Sequence, residues 1–326
     1  MGSAVAAGLR PLSARLQMAA AAGLGPLDLE PGGSCGRPRR PLDHDSRRWH
    51  GGVISGATSR VAKDYASRKL SMIGTAAARR ALVDLSSPDA ATAIRRAAET
   101  GSASSRATIL DIVAERRDRG AVPLLVAAAG DDDAAIRQAA MRGLAAFGGP
   151  KVMAMIDAML ADPAKRPQGL DALSKWPDAT VKDQLLELFG KATDPQEKDL
   201  LLGTLIRIAP LPDNKLDDGQ KLDLLVKTMA LCQRNEDKAK VLERANAIRT
   251  IETFRFVVPY VDDPAITESA CGSVVELAHH QKLRDAHKEE FTAALDKVLG
   301  ITKNDELVER ATRYKAGQTW NRQKKN

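Results

Sequence analysis

The sequence predicts an all-α fold, a superhelix of stacked helix pairs, and three observations point to it. Only 3% of the 326 residues are aromatic while 44% are hydrophobic, so the core must be assembled from Ala, Leu, Val and Ile, side chains that let helices approach closely. No apolar alternation of period two runs long enough to build a sheet. From residue 60 onward, short helical periods recur between Gly, Pro and Asp, the texture of a repeat array. An array also suits the length, which exceeds what one globular core usually holds.

The elements follow in order. Residues 1 to 59 run through Ala, Gly, Pro, Ser and Arg without a period, as in PGGSCGRPRRP at 31 to 41, and are expected to be disordered, a targeting segment or a start placed too far upstream. Arg10, Pro11 and Arg15 interrupt the one stretch that could serve as a secretory signal, which favours a cytoplasmic over an exported chain. Helical apolar spacing then marks segments near 60–73, 75–84, 89–99, 103–117, 119–129, 133–147, 150–161 and 165–175. It continues near 178–190, 195–208, 217–232, 235–247, 249–260, 264–279, 286–299 and 303–315, and residues 316 to 326 form a basic tail. The second helices start at steps of about 30 to 40 residues, giving about seven helix pairs across 60 to 315.

The clearest unit is RGAVPLLVAAAGDDDAAIRQAAMRGLAAFG. There Val122, Leu125 and Val126 make one apolar stripe, and Ile136, Ala139, Ala140 and Leu144 make the next. Asp132 and Asp133 are placed to cap the second helix by accepting the free N–H groups of its first turn, and Gly148 and Gly149 release the chain at its end. In TDPQEKDLLLGTLIRIAP, Asp194 caps, Pro195 takes the first helical position, and Leu201, Leu202 and Leu205 face inward. In VDDPAITESACGSVVELA the same grammar makes Asp263 the cap and Ile266, Ala270, Val274 and Leu277 the stripe. A fourth copy, KNDELVERATRYKAG, sets Leu307 and Ala311 at the places of Ile266 and Ala270. No single pair can bury such a stripe alone, so neighbours must stack into a solenoid.

These motifs resemble the HEAT repeat family over about 250 residues, particularly the short, Ala-rich bacterial repeats that also look like phycobilisome-lyase repeats. The resemblance implies an armadillo-like scaffold or adaptor. The same family includes lyase-like chromophore proteins and DNA glycosylases, which stand as the enzymatic alternatives. It further implies an Asp–Arg ladder between repeats. Asp131 and Arg137 could satisfy it, while Leu200 and Ser269 occupy the Arg place elsewhere.

The net charge of +7 sits at the ends. Between residues 64 and 312 the chain holds 35 basic against 38 acidic residues, a balance that weighs against a phosphate-tracking surface and hence against nucleic acid as partner. No apolar run is long enough to span a membrane. Cys35, Cys232 and Cys271 are too scattered for a disulfide framework or a zinc site, and the last two fall where a free Cys acts as a small apolar residue. His279, His280 and His287, with Glu276, form the one histidine group, but their spacing suits a solvated polar face better than a metal. The acidic run Asp131 to Asp133 is explained by helix capping, and Gly32, Gly33 and Gly36 follow no strand that would make a phosphate loop. A glycosylase would need an aromatic with an acid and a basic rim, for which Trp176, Asp178, Lys175 and Arg142 are the nearest set. The expectation is a non-catalytic scaffold without cofactor or metal. It would bind a protein partner along a concave surface lined by second helices, through Gln138, Arg142, Lys175, Trp176, Arg207 and Arg244.

Overall fold

The structure is a computed structural model that describes residues 57–212 and 215–320. The readings made for residues 1 to 56 and for the last six residues of the basic tail lie outside the described residues. Among the described residues there are seventeen α-helices, three short 3-10 turns and no strand. The chain divides after Pro177 into two compact units.

The first unit pairs α1 (Ala57–Leu70) with α2 (Ala76–Asp84), α3 (Pro88–Thr100) with α4 (Ala103–Glu115), α5 (Val122–Ala128) with α6 (Ala134–Phe147), and α7 (Pro150–Ala161) with α8 (Arg166–Leu173). Starts are set by side-chain caps. Ser87, Ser102 and Asp133 stand in extended backbone and accept first-turn N–H groups, with Pro88 at the first position of α3. Asp133 alone caps α6, taking the N–H of Ala135 and of Ile136; Asp132, expected to share that task, is exposed. Gly148 and Gly149 end α6 at φ 74° and 104°, left-handed backbone that side chains avoid. The stripe of α6 is buried as its spacing demands, with Ile136, Ala139 and Ala140 at 0% exposure. Gly143 lies in the same face because a Cβ there would come within 2.6 Å of Leu125 Cδ2 on α5. The second helices pack neighbour to neighbour, α2 on α4, α4 on α6 and α6 on α8.

The second unit pairs α9 (Lys182–Lys191) with α10 (Pro195–Ile208), α11 (Asp218–Leu231) with α12 (Asn235–Ala245), and α13 (Ile251–Val257) with α14 (Thr267–Ala278). A short helix α15 (Gln281–Ala286) precedes the last pair, α16 (Lys288–Ile301) and α17 (Asp305–Lys315). Asp194 caps α10 ahead of Pro195, Asn304 caps α17, and Asp217 with Gln220 completes a capping box on α11. α14 departs from the expected pattern. Asp263 accepts the N–H of Ala265 and, through its carbonyl, the hydroxyl of Thr267, so it closes a turn and the helix starts later, at Thr267, with no side-chain cap. α15 falls between the segments read from the sequence, since six residues hold too few apolar positions to show a period. The apolar stripe is nonetheless the predicted one: Ile266, Ala270, Val274 and Leu277 are buried. Phe254 of α13 stacks on Phe291 of α16 with ring centroids 3.9 Å apart. Within this unit the second helices pack α10 on α12, α12 on α14 and α14 on α17. No described helix is long and apolar enough to cross a membrane.

Candidate functional site

In both units the second helices are joined by charged side chains that reach from one helix to the next. In the first turn of α4, Arg106 reaches forward to Asp131 at 2.8 Å, with both side chains largely buried. Asp131 is therefore half of a rung, but its partner is Arg106 and not Arg137. Arg137 instead donates to the carbonyls of Asp131 and Asp132 at 2.7 and 2.8 Å, holding the loop that presents the acid. In the second unit the rung persists with other chemistry. Asp199 of α10 pairs with Arg234 ahead of α12, and Glu268 of α14 accepts from the Thr302 hydroxyl and the Lys303 N–H ahead of α17. This explains how Leu200 and Ser269 can fill the expected arginine place, because the side chain one position earlier carries the link. Ser269 donates to Glu243 instead.

One layer further along the helices lies a second set of charges. Arg142 of α6 binds Asp111 of α4 through two N–H groups, at 3.1 and 2.9 Å, and Asp171 of α8 through a third at 3.0 Å. Gln138 donates to the same Asp171 at 2.8 Å. Burial alone would lower the Arg142 pKa, but the hydrogen bonds and charges of Asp111 and Asp171 raise it above the ordinary arginine value. Gln138 and Arg142 thus hold three second helices together. In the second unit Arg310 of α17 plays a similar part, paired with Glu276 of α14 and lying over the rings of Tyr314 and Trp320.

Arg244 of α12 stands differently. Its guanidinium is half-buried and donates to the carbonyl of Arg207, near the C-terminal end of α10, at 3.2 Å, while its Nε is buried without a hydrogen-bond partner. Burial lowers its pKa, with no acid acting against that cause. Arg207 is also half-buried, Lys175 is exposed, and Trp176 is 5% exposed with its ring against Gly148. Of the histidines, His279 shares a 2.9 Å hydrogen bond with the Tyr314 hydroxyl, and His287 lies 3.7 Å from Glu290. His280 is lowered by burial first and then by Arg249 and His279. His279 and His280 are neighbours, with ring centroids 5.7 Å apart. Cys232 and Cys271 are buried free thiols.

Asp111, Asp171 and Arg310 were not singled out from the sequence, and Glu276 was named only beside the histidines. A signal existed for one of them: Asp111 follows its cap Ser102 at the same interval as Arg142 follows Asp133. Reading opposite charges at equal intervals past successive caps would have found the pair.

Comparison with known proteins places this geometry. The profile of HEAT repeats matches residues 94–169, a span that holds α4 to α7 entire, with the ladder from Arg106 to Asp131 and Arg142 with its Asp111 partner. Among solved structures the chain is similar to human deoxyhypusine hydroxylase in complex with glycerol, at 14% identity over 81% of this chain and 100% of that one, with a TM-score of 0.33. No curated protein matches. The chain is an all-α protein of stacked helix pairs that carries HEAT repeats at residues 94–169.

Proposed function

We propose that this chain is a non-catalytic scaffold or adaptor that binds a protein partner along the outward positions of its second helices. The observation that carries the reading is the rank itself. α10, α12 and α14 follow one another side by side and bring Gly203, Glu243, Arg244, Gly272 and Glu276, all outside the core, onto successive helices. A row of this kind extends with each added helix and suits an elongated partner, as repeat arrays generally do. The HEAT match at 94–169 supports the same use. Of the expected contacts, Arg207 and Arg244 remain in this surface and Lys175 is exposed, whereas Gln138 and Arg142 already hold neighbouring helices. Burial of Trp176 against Gly148 removes the aromatic platform that a base-flipping glycosylase reading would use.

A photo-crosslinking amino acid tests the surface directly. Introduced at Glu243 on α12, it should give covalent protein adducts on illumination in the source cell, while the same group at exposed Lys227 on first helix α11 should not. Adducts from Lys227 alone, or none from Glu243, would overturn the assignment. DNA should show no titration that weakens as salt rises.

A further inference from the structure

The corner where α14 turns into α15 carries two adjacent histidines among three arginines and two acids. His279 ends α14 and His280 opens α15, with their rings in edge-to-face contact. His279 Nδ1 shares its 2.9 Å hydrogen bond with the hydroxyl of Tyr314, a buried residue near the end of α17. Arg284 of α15 lies over the same ring, is 4% exposed, and donates through Nη1 to the carbonyl of Ala278 at 2.9 Å. Tyr314 is thus gripped from α14 by His279 and from α15 by Arg284. The other cations of the corner are Arg249, ahead of α13, and Arg310 of α17. Its acids are Glu276, already paired with Arg310, and Asp285, exposed and 3.6 Å from Arg284. Nη2 of Arg284 is buried without a hydrogen-bond partner. Little negative charge is left to receive another cation.

We propose that His280 makes this corner an acid-sensitive latch, which holds α17 against α14 at neutral pH and releases it when the imidazole takes up a proton. His280 is half-buried. Burial first, and then the charges of Arg249 and His279, lower its pKa from the ordinary value near 6.5, against the opposing pull of Glu276. A lowered value in the folded state means that the neutral ring contributes in full above about pH 6.5 and loses that contribution as pH falls, because the released state binds the proton more readily. The negative end of a helix ordinarily favours a protonated histidine. Here that end is taken: Arg284 occupies the carbonyl of Ala278, and the N–H groups of His279 and His280 occupy those of Glu276 and Leu277. A new cation therefore meets Arg249 and Arg284 in place of free carbonyls. Release would detach the last second helix of this unit, and the latch does not depend on what the row of second helices binds.

Hydrogen exchange of the full chain, read by mass spectrometry and corrected for the chemical pH dependence of amide exchange, tests the latch. Between about pH 7.5 and about pH 5.5, opening of residues 305–315 should rise about fivefold relative to residues 195–208 of α10 in the same unit, as one proton taken up on release requires. His280→Gln, a polar side chain that cannot charge, should abolish the rise. His287→Gln, beside Glu290, should leave it in place. A second measurement uses proton NMR of the wild-type chain, with the His280 ring signal assigned by its absence from the His280→Gln spectrum. That signal should titrate below about pH 6.5, and in Arg249→Gln its midpoint should move up. Equal opening at the two pH values, an equal rise in α10, or a rise that survives His280→Gln would overturn the latch. So would a His280 signal that titrates at or above the ordinary histidine value, or one that stays put in Arg249→Gln.

Discussion

Arg142 satisfies two carboxylates with one guanidinium, and the three side chains are each about a quarter exposed. Such a network lies between a surface pair, worth a few tenths of a kcal/mol, and a buried one whose disruption strands a charge. Arg142→Gln should therefore cost about 1–2 kcal/mol in urea unfolding, because it leaves two half-buried carboxylates without their cation. The two buried thiols make a prediction at alkaline pH. Burial pushes Cys232 and Cys271 up to about 11 from an ordinary value near 9. A raised folded-state pKa means the thiols contribute in full below the unfolded value and lose that contribution as pH rises from about 9 to 11. Unfolding free energy should fall across that window by about 1 kcal/mol or more for each thiol, and a Cys232→Ala, Cys271→Ala double variant should lose most of the slope.

At the scale of a helix, α6 offers a direct comparison of phases. Ala140 is 0% exposed in the face that meets neighbouring helices, while Ala134, in the first turn of the same helix, is exposed. Ala140→Glu should cost several kcal/mol, since it buries an unpaired carboxylate and overfills a close helix contact, and limited proteolysis should then cut near residues 129 to 150. Ala134→Glu should leave the melting curve nearly unchanged and could even favour the positive end of the helix. Both burial states were legible in the sequence, because the 3.6-residue period places Ala140 between Ile136 and Leu144. The start of α14 was not. The dipeptide Asp263-Pro264 satisfies the capping pattern as well as Asp194-Pro195 does, and only the Thr267 hydroxyl on the Asp263 carbonyl shows that a turn intervenes.

For the whole molecule, the division after Pro177 has a measurable consequence. Each unit has its own ladder of second helices and its own core, Leu125, Ile136 and Leu144 in one and Leu205, Val274 and Phe291 in the other. In stacked repeats, stability is close to a sum of unit and nearest-neighbour terms. Residues 57–177 and 178–320, expressed separately, should each give a helical circular-dichroism spectrum and a cooperative melt. A fragment that stays unfolded at low temperature would show that its core depends on the other.

The sequence by itself determined the helical class, the alternation of first and second helices, with about seven pairs expected and eight among the described residues, and the inward stripes of α5, α6, α10 and α14, because these follow from local periodicity and from caps a few residues apart. It also marked Arg142, Arg207 and Arg244 as polar positions on second helices. Only the tertiary structure decided what each of them meets. Arg142 finds Asp111 and Asp171, which lie 31 and 29 residues away along the chain, whereas Arg244 finds the backbone carbonyl of Arg207, 37 residues away. Spacing within one helix sets which way a side chain points. The charge it meets is set by the register of two neighbouring helices, each shifted by its own cap and loop, and that register exists only once the helices have stacked.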